Sequence, residues 1–378
     1  MKRAVRILGC FLIFAGTPAR ADDWVVARHD PQRTGRSNGH PALATPGLRW
    51  RHYLGGALRS DQFVVTDIDG DRTTDVVYVA GGRVICKHAD DTLVWESPLL
   101  ELTSLVGVTD LDRDQRAEVV AVGVRGAVVV IAGRDGTLLW EVPPAVRGAG
   151  GSARVADLDG DGRDDLYVGE CLNAPAHALA YGFTGGFGAA RELWRLAASD
   201  TLPCGTGADL VGDLDGDGRN EVVMGNHYDR LRVLDGRTGS VRADVLPPPS
   251  SPFANNFTLG MLRNLDDDPA MELVLFTNGY ASRTPPFGAR RVAVYDSLRA
   301  GVTEWRPLWE YGHPNPDNGD LLYDATSVTD LDHDGAPEIT ASFRDGTTRA
   351  WTLQVRDART GRLITSQPGV EFAGVEDL

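Results

Sequence analysis

Lysine is almost missing from this 378-residue chain: only Lys2 and Lys87 stand against 36 arginines, a bias that fits a GC-rich coding sequence and assigns no role. Cysteine is scarce too, with four in all, and no two of them are adjacent. The longest apolar run, Ile7 to Gly16, has about ten residues, too few to span a bilayer, so no membrane span is expected. There is no His-Glu-x-x-His pair, no Gly-x-Ser-x-Gly elbow and no glycine-rich phosphate loop, which removes the commonest zinc hydrolase, serine hydrolase and nucleotide-binding signatures. Positive charge falls short of negative, giving a net charge of −15, and a chain this acidic repels phosphate backbones, so no nucleic-acid partner is expected. No sustained helical period is present, and the 44 glycines and 21 prolines argue further against a helical fold.

What the chain has instead is an aspartate-rich loop repeated six times, with oxygen-bearing side chains at positions 1, 3, 5 and 9. The sharpest copies are Asp157-Asp159-Asp161-Asp165, Asp213-Asp215-Asp217-Glu221 and Asp330-Asp332-Asp334-Glu338, each with glycine at position 6. Looser copies are Asp67-Asp69-Asp71-Asp75, Asp110-Asp112-Asp114-Glu118 and Asn264-Asp266-Asp268-Glu272, in which Arg72, Gln115 and Pro269 replace that glycine. Calcium takes six to eight oxygens at about 2.3–2.6 Å, and alternate residues of a tight loop point several carboxylates inward. The pattern therefore predicts Ca²⁺ in each loop, with the carbonyl of position 7 (Arg163, Arg219, Ala336) completing the shell of the sharp copies. These loops hold 23 of the 53 acidic residues, so the metal-free chain repels itself and calcium relieves the repulsion. An EF-hand would need a carboxylate at position 12, where Val168, Met224 and Ala341 stand in strand-like runs.

The loops begin at 67, 110, 157, 213, 264 and 330, spacings of 43 to 66 residues. Short apolar runs flank each one, as in Gln62 to Thr66 before and Val76 to Val79 after, so each reads as a hairpin with the acidic loop at its tip. A second strand pair follows, joined by Asp-Gly or Thr-Gly turn chemistry, as in Asp235 to Gly239 and Asp357 to Gly361. Trp50, Trp95, Trp140, Trp194 and Trp309 each precede the next loop by 15–21 residues, and this fixed phase predicts packing between units rather than a sugar-stacking surface. Four short strands per unit of this length predict an all-β β-propeller of four-stranded blades. Six repeats are complete, and Glu376-Asp377-Leu378 matches the start of a seventh. The expectation is a seven-bladed plan left incomplete, in preference to six blades.

At these residues the chain resembles the FG-GAP/VCBS family of calcium-loop β-propellers, which includes the integrin α-subunit head and many secreted bacterial proteins. The resemblance spans roughly residues 61–378. It is closer to the VCBS-like members, because Phe187-Gly-Ala and Phe287-Gly-Ala do not stand at the usual place of the Phe-Gly…Gly-Ala-Pro signature. It implies several structural calcium ions and a binding or adhesion module for extracellular protein or glycan. The alternative is a carbohydrate-active enzyme, a lyase or hydrolase, on the same scaffold; no catalytic residues are assigned.

Residues 1–21 read as a signal peptide: Lys2, Arg3 and Arg6 precede the apolar run, and Ala19-Arg20-Ala21 forms an A-x-A cleavage site. The mature chain is expected to be exported, either secreted or periplasmic or on the cell surface, and its net charge becomes −19. Residues 22–60 are expected to lead into the propeller and lend it an outer strand. Cys171 and Cys204 bracket one stretch and are the expected disulfide, and Cys86 is expected as a buried inert thiol. Two stretches break the repeat period and are expected inserts carrying ligand-contact candidates: 171–205, with Asn173, His177, Tyr181, Phe183 and Phe187, and 277–325, with Asn278, Tyr280, Phe287, Trp309, Tyr311, His313, Asn315, Asn318 and Tyr323.

Overall fold

The computed structural model describes residues 63–144, 152–169, 176–197, 209–225, 231–245, 256–278, 291–296, 305–313 and 326–370, except 267, 306 and 333. The expected signal peptide, the 22–60 segment with Trp50, the Cys171–Cys204 pair and the terminal Glu376-Asp377-Leu378 lie outside the described residues.

Runs of valine, leucine and isoleucine punctuated by Asp-Gly and Thr-Gly turns favour short strands. The described residues form 24 of them, in six four-stranded antiparallel meanders. Blade 1 comprises β1 (Phe63–Thr66), β2 (Asp75–Ala80), β3 (Arg83–His88) and β4 (Leu93–Glu96). Blade 2 comprises β5 (Leu102–Thr109), β6 (Glu118–Gly123), β7 (Val128–Ala132) and β8 (Leu138–Glu141), and blade 3 comprises β9 (Ser152–Ala156), β10 (Asp165–Gly169), β11 (Ala176–Gly182) and β12 (Arg191–Ala197). Blade 4 comprises β13 (Leu210–Gly212), β14 (Glu221–Gly225), β15 (Leu231–Asp235) and β16 (Val241–Val245). Blade 5 comprises β17 (Asn256–Arg263), β18 (Glu272–Asn278), β19 (Arg291–Tyr295) and β20 (Pro307–Gly312), and blade 6 comprises β21 (Thr326–Thr329), β22 (Glu338–Arg344), β23 (Trp351–Asp357) and β24 (Leu363–Pro368).

The first strands of successive blades lie side by side, β5 by β9, β9 by β13 and β13 by β17. The core sits between blades. Alternate residues of each sheet face opposite neighbours, so Val77 and Val79 meet Val119 and Ala121, while Val120 and Val122 meet Leu166 and Val168. Tyr167 and Ala180 then meet Val222 and Met224, Val223 and Val233 meet Leu273 and Leu275, and Val274 and Val292 meet Ile339 and Ala341. This is the packing of a β-propeller, as the repeat period predicts. Cys86 belongs to one of these layers, fully buried, and burial pushes its thiol far up, which makes it inert.

The tryptophans fasten one blade to the next. Trp95 Nε1 donates to Gly133 O at 2.7 Å, Trp194 Nε1 to Gly236 O at 2.6 Å and Trp309 Nε1 to Ala358 O at 2.9 Å, each acceptor lying in the last turn of the following blade. In the same turns Gly136, Gly239 and Gly361 have φ of +74°, +67° and +70°, and a Cβ on any of them would come within 2.6 Å of the tryptophan ring. Only glycine meets both demands. Blade 2 solves the contact differently, with Trp140 edge-on to Tyr181 and Phe183 of blade 3 at centroid distances of 5.0 and 5.3 Å. Blade 4 has Ala243 at the tryptophan position, and Trp305, from beyond the third strand of blade 5, joins Ala243 in the same core layer.

The two stretches expected as inserts contain blade strands instead. β11 and β12 fall inside 171–205, and β19 and β20 fall inside 277–325. Tyr181 and Phe183, named as ligand candidates, are 5% and 1% exposed in the core between blades 2 and 3, and Phe187 packs against them. Trp309 is one of the blade fasteners, and Tyr311 stacks edge-on against Phe343 at 5.1 Å. Aromatic content there reflects packing. Asn173, Tyr280, Phe287, Asn315, Asn318 and Tyr323 lie outside the described residues, as do the side-chain placements of His177 and Asn278.

Candidate metal centres

Each acidic loop joins the first and second strands of a blade, and the six share one wiring. The side chain at position 1 accepts amide hydrogens from inside the loop: Asp157 Oδ1 from Gly160 at 2.8 Å and Oδ2 from Gly162 at 2.8 Å, Asp67 from Gly70 and Arg72 at 2.9 Å each, and Asp330 from Asp334 at 3.1 Å and Gly335 at 3.0 Å. Asp213 binds Gly216 at 2.7 Å and Gly218 at 2.8 Å, and Asp110 binds Asp114 at 3.1 Å and Gln115 at 2.9 Å. Position 3 accepts the amide of position 5: Asp69, Asp112, Asp159, Asp215, Asp266 and Asp332 bind the N–H of Asp71, Asp114, Asp161, Asp217, Asp268 and Asp334 at 3.0–3.3 Å. Those position-5 carboxylates in turn accept the amides of Thr73, Arg116, Arg163, Arg219, Ala270 and Ala336 at 2.6–2.9 Å.

Position 9 opens the second strand and is buried in every blade. One oxygen of Asp75, Glu118, Asp165, Glu221, Glu272 and Glu338 accepts the amide of position 2, from Ile68, Leu111, Leu158, Leu214, Leu265 and Leu331, at 2.5–3.1 Å. In five of the loops the position-2 side chain is buried, so the sequence Asp-apolar-Asp follows from one residue facing the core between two facing the loop. The loops conform even where the sequence departs from the sharp pattern. Arg72 and Gln115 adopt φ of 71° and 70°, beside +78°, +82° and +93° for Gly162, Gly218 and Gly335. The fifth loop differs because Pro269 cannot adopt positive φ; Asn264 Nδ2 there donates to Asp268 O instead.

These carboxylates converge. Within each of the sets Asp110–Asp112–Glu118, Asp157–Asp159–Asp165, Asp213–Asp215–Glu221, Asp266–Asp268–Glu272 and Asp67–Asp69–Asp71, one oxygen per residue lies within 4.8 Å of the others. Position 5 joins the cluster in the first and fifth loops. Crowding and burial act on position 9 most: desolvation, aided by the neighbouring aspartates, pushes Glu118 up to about 8 and Asp165, Glu221 and Glu272 up to about 7. Asp75 and Glu338 are raised for the same reason.

The residues fit a hard cation. The donors are all oxygen, and Glu272 Oε1 is buried without a hydrogen-bond partner although its carboxylate is wholly buried. A carboxylate oxygen so placed needs a proton or a positive charge. In two loops a residue from outside the loop supplies a positive group, which the acidic pattern did not reveal. His88 Nδ1 lies 2.8 Å from Asp75 Oδ1, and Arg242 reaches Asp215 Oδ2 at 2.8 Å and Glu221 Oε1 at 2.5 Å.

Blade architecture and acidic loops together define a β-propeller with several sites of metal-binding composition. The FG-GAP-like repeat family matches residues 110–168, the second and third loops with the strands between them. No curated protein sequence matches the chain. Among solved structures, the fold is similar to the quinohemoprotein alcohol dehydrogenase from Comamonas testosteroni, at 13% identity and TM-score 0.50 over 93% of this chain and 74% of that one. It also aligns with BamB from Moraxella catarrhalis, at 16% identity and TM-score 0.43 over 80% of this chain and 71% of that one. The V. cholerae biofilm matrix protein Bap1 aligns at 16% identity and TM-score 0.43 over 81% of this chain, which spans 52% of Bap1. At these identities the likeness concerns the fold alone. No helix among the described residues is long and apolar enough to cross a membrane.

Proposed function

We propose that this protein is an exported, calcium-stabilised β-propeller that serves as a binding or adhesion module for extracellular protein or polysaccharide. The observation that carries the reading is the sixfold recurrence of one carboxylate wiring, with position 9 buried each time and Glu272 Oε1 left without a partner. Oxygen-only donors in a flexible loop select calcium over zinc or copper, which prefer nitrogen and sulfur. Calcium here acts on structure: it neutralises carboxylates that otherwise repel one another and fixes the loops it fills on the strands they join. A rigid face then presents the surface loops to a ligand. The signal-like N-terminus and the strong negative charge support an extracytoplasmic setting, where calcium is abundant.

The experiment is a thermal melt of the purified protein in calcium and in chelator, followed by a glycan array and a pull-down from extracellular protein under both conditions. Calcium raises the melting temperature by many degrees, and ligand capture is lost in chelator. A melt indifferent to calcium refutes the metal reading, and calcium-independent release of unsaturated sugar products would put the lyase in place of the binding module.

A further inference from the structure

The fourth loop departs from the others in a residue far from it in sequence. The last strand of every blade carries a bulge, where one residue has no partner on the third strand. The bulged residues are Val94, Leu139, Leu193, Arg242, Leu308 and Ile364. Five are aliphatic and one is arginine. A bulge turns its side chain away from the regular alternation. In blade 3 the bulged Leu193 and Asp165 Oδ1, at position 9, both come within 3.2 Å of a Cβ built on Gly182, so the bulge overlooks the loop's buried acid. In blade 4 the same place holds a guanidinium.

Arg242 spends its two terminal nitrogens on one oxygen each of Asp215 and Glu221, with the Glu221 side chain 2% exposed and that of Asp215 16%. The other oxygens are already engaged: Glu221 Oε2 accepts Leu214 N–H at 2.9 Å, and Asp215 Oδ1 accepts Asp217 N–H at 3.3 Å. Both carboxylates of Asp213–Asp215–Glu221 that still had an oxygen to offer are therefore held by arginine. A forked guanidinium suits a pair of carboxylates, keeps its charge at every physiological pH, and cannot diffuse away. By contrast, Glu272 Oε1, at the same position of the next loop, has no hydrogen-bond partner.

We infer that the fourth loop carries its own cation: Arg242 satisfies Asp215 and Glu221 without metal, and calcium enters this loop only when that arginine is removed. The inference rests on the calcium reading of the other loops. It makes blade 4 a metal-independent segment between calcium-dependent neighbours, although its loop has one of the three sharpest metal sequences in the chain.

The test compares wild type, Arg242→Leu (the aliphatic type of the other blades) and Arg242→Lys with Arg237→Gln, which removes a charge from the same blade at an exposed position outside the loop. Equilibrium dialysis with radioactive calcium counts ions per folded chain, and melts are run in chelator and in calcium. Arg242→Leu is expected to bind one more calcium than wild type, to melt below Arg237→Gln in chelator, and to recover in calcium; Arg237→Gln and Arg242→Lys keep the wild-type count. Equal counts for Arg242→Leu and wild type overturn the inference, as does failure of Arg242→Leu to fold even in calcium. Should no variant bind calcium, the calcium reading of the loops falls separately. The melts in chelator then decide: an Arg242→Leu melt no lower than Arg237→Gln overturns the role of the ion pair as well.

Discussion

The buried acid at position 9 makes metal-free stability depend on pH in an unusual direction. Most carboxylates in folded proteins stabilise the native state as pH rises, but here desolvation and like charge hold Glu118 at about 8 and Asp165, Glu221 and Glu272 at about 7. In the unfolded chain these groups titrate near 4. At pH 7 the metal-free fold therefore holds about two protons on these four groups that the unfolded chain has already released. A native state that binds more protons than the unfolded state loses stability as pH rises, so the metal-free protein weakens from about pH 4.5 to about pH 8. The slope near neutrality is about 3 kcal/mol per pH unit, which moves the melting point by several degrees. His88, raised by its bond to Asp75, titrates in the same sense. Calcium must displace the protons of Glu118, Asp165 and Glu272, so in saturating calcium neither the native nor the unfolded chain holds them above about pH 5.5, and most of the fall with pH disappears. Melts from pH 5.5 to 8, in chelator and in calcium, display both slopes, and calorimetric calcium titrations in two buffers of different ionisation enthalpy count the protons released. Glu118→Gln keeps an oxygen for Leu111 N–H and should flatten the slope in chelator by about a third. A metal-free melting point that stays level or rises between pH 6 and 8 would refute the argument, because it would mean these acids are already charged in the empty fold.

The blade fasteners predict that Trp194→Phe, which strands the buried Gly236 carbonyl, costs about 1–3 kcal/mol, read as a lower midpoint in urea. Gly239→Ala, with its methyl 2.4 Å from the indole at φ +67°, should also lower the midpoint, and an unchanged midpoint in both would remove the fastener. Arg72→Gly and Gln115→Gly relieve positive φ at position 6, and each should raise stability by up to about 1 kcal/mol, the relief of strain exceeding the extra entropy of glycine. Loss of stability in both would mean those side chains make contacts that matter more than their backbone strain.

Much of this was legible in the sequence because the repeat carries redundant signals. Asp-Leu-Asp with glycine at position 6, apolar runs on both sides and a tryptophan at fixed phase each specify the same hairpin, and together they gave the blades and the loop positions. Irregular spacing hides the repeat where a hairpin within a blade is long: residues 171–205 and 277–325 break the period because the hairpins β11–β12 and β19–β20 are longer than Val128 to Trp140 of blade 2. Aromatic residues there, Tyr181 and Phe183, answer Trp140 across the blade interface, a contact that pairs residues some 40 apart in sequence. Arg242 was invisible for a related reason. Its partners Asp215 and Glu221 lie 27 and 21 residues away, and nothing local marks it until the last strands are aligned on their bulges.

The loops are also joined to one another, which bears on how calcium would act. Position 8 of the third, fourth and fifth loops reaches the start of the preceding one: Asp164 Oδ2 accepts from Thr109 Oγ1 at 2.5 Å, Asn220 Nδ2 donates to Asp157 O at 2.8 Å, and Met271 N donates to Asp213 O at 2.9 Å. Arg263, at the end of β17, donates to Val328 O in the next blade. Loops 2 to 5 thus form a chain in which the carbonyl or hydroxyl at one loop's entrance is held by its successor. Ordering one loop fixes an anchor of the next, so ions bound in separate blades share one structural consequence. Arg242 fits this logic: a loop that is held without metal, placed in the middle of the chain, keeps the links to Asp157 and Met271 intact when its neighbours are empty. Loss of calcium would then loosen the propeller from both sides toward blade 4, and amide hydrogen exchange in chelator should show β13 and β14 as the last of the loop-bearing strands to open.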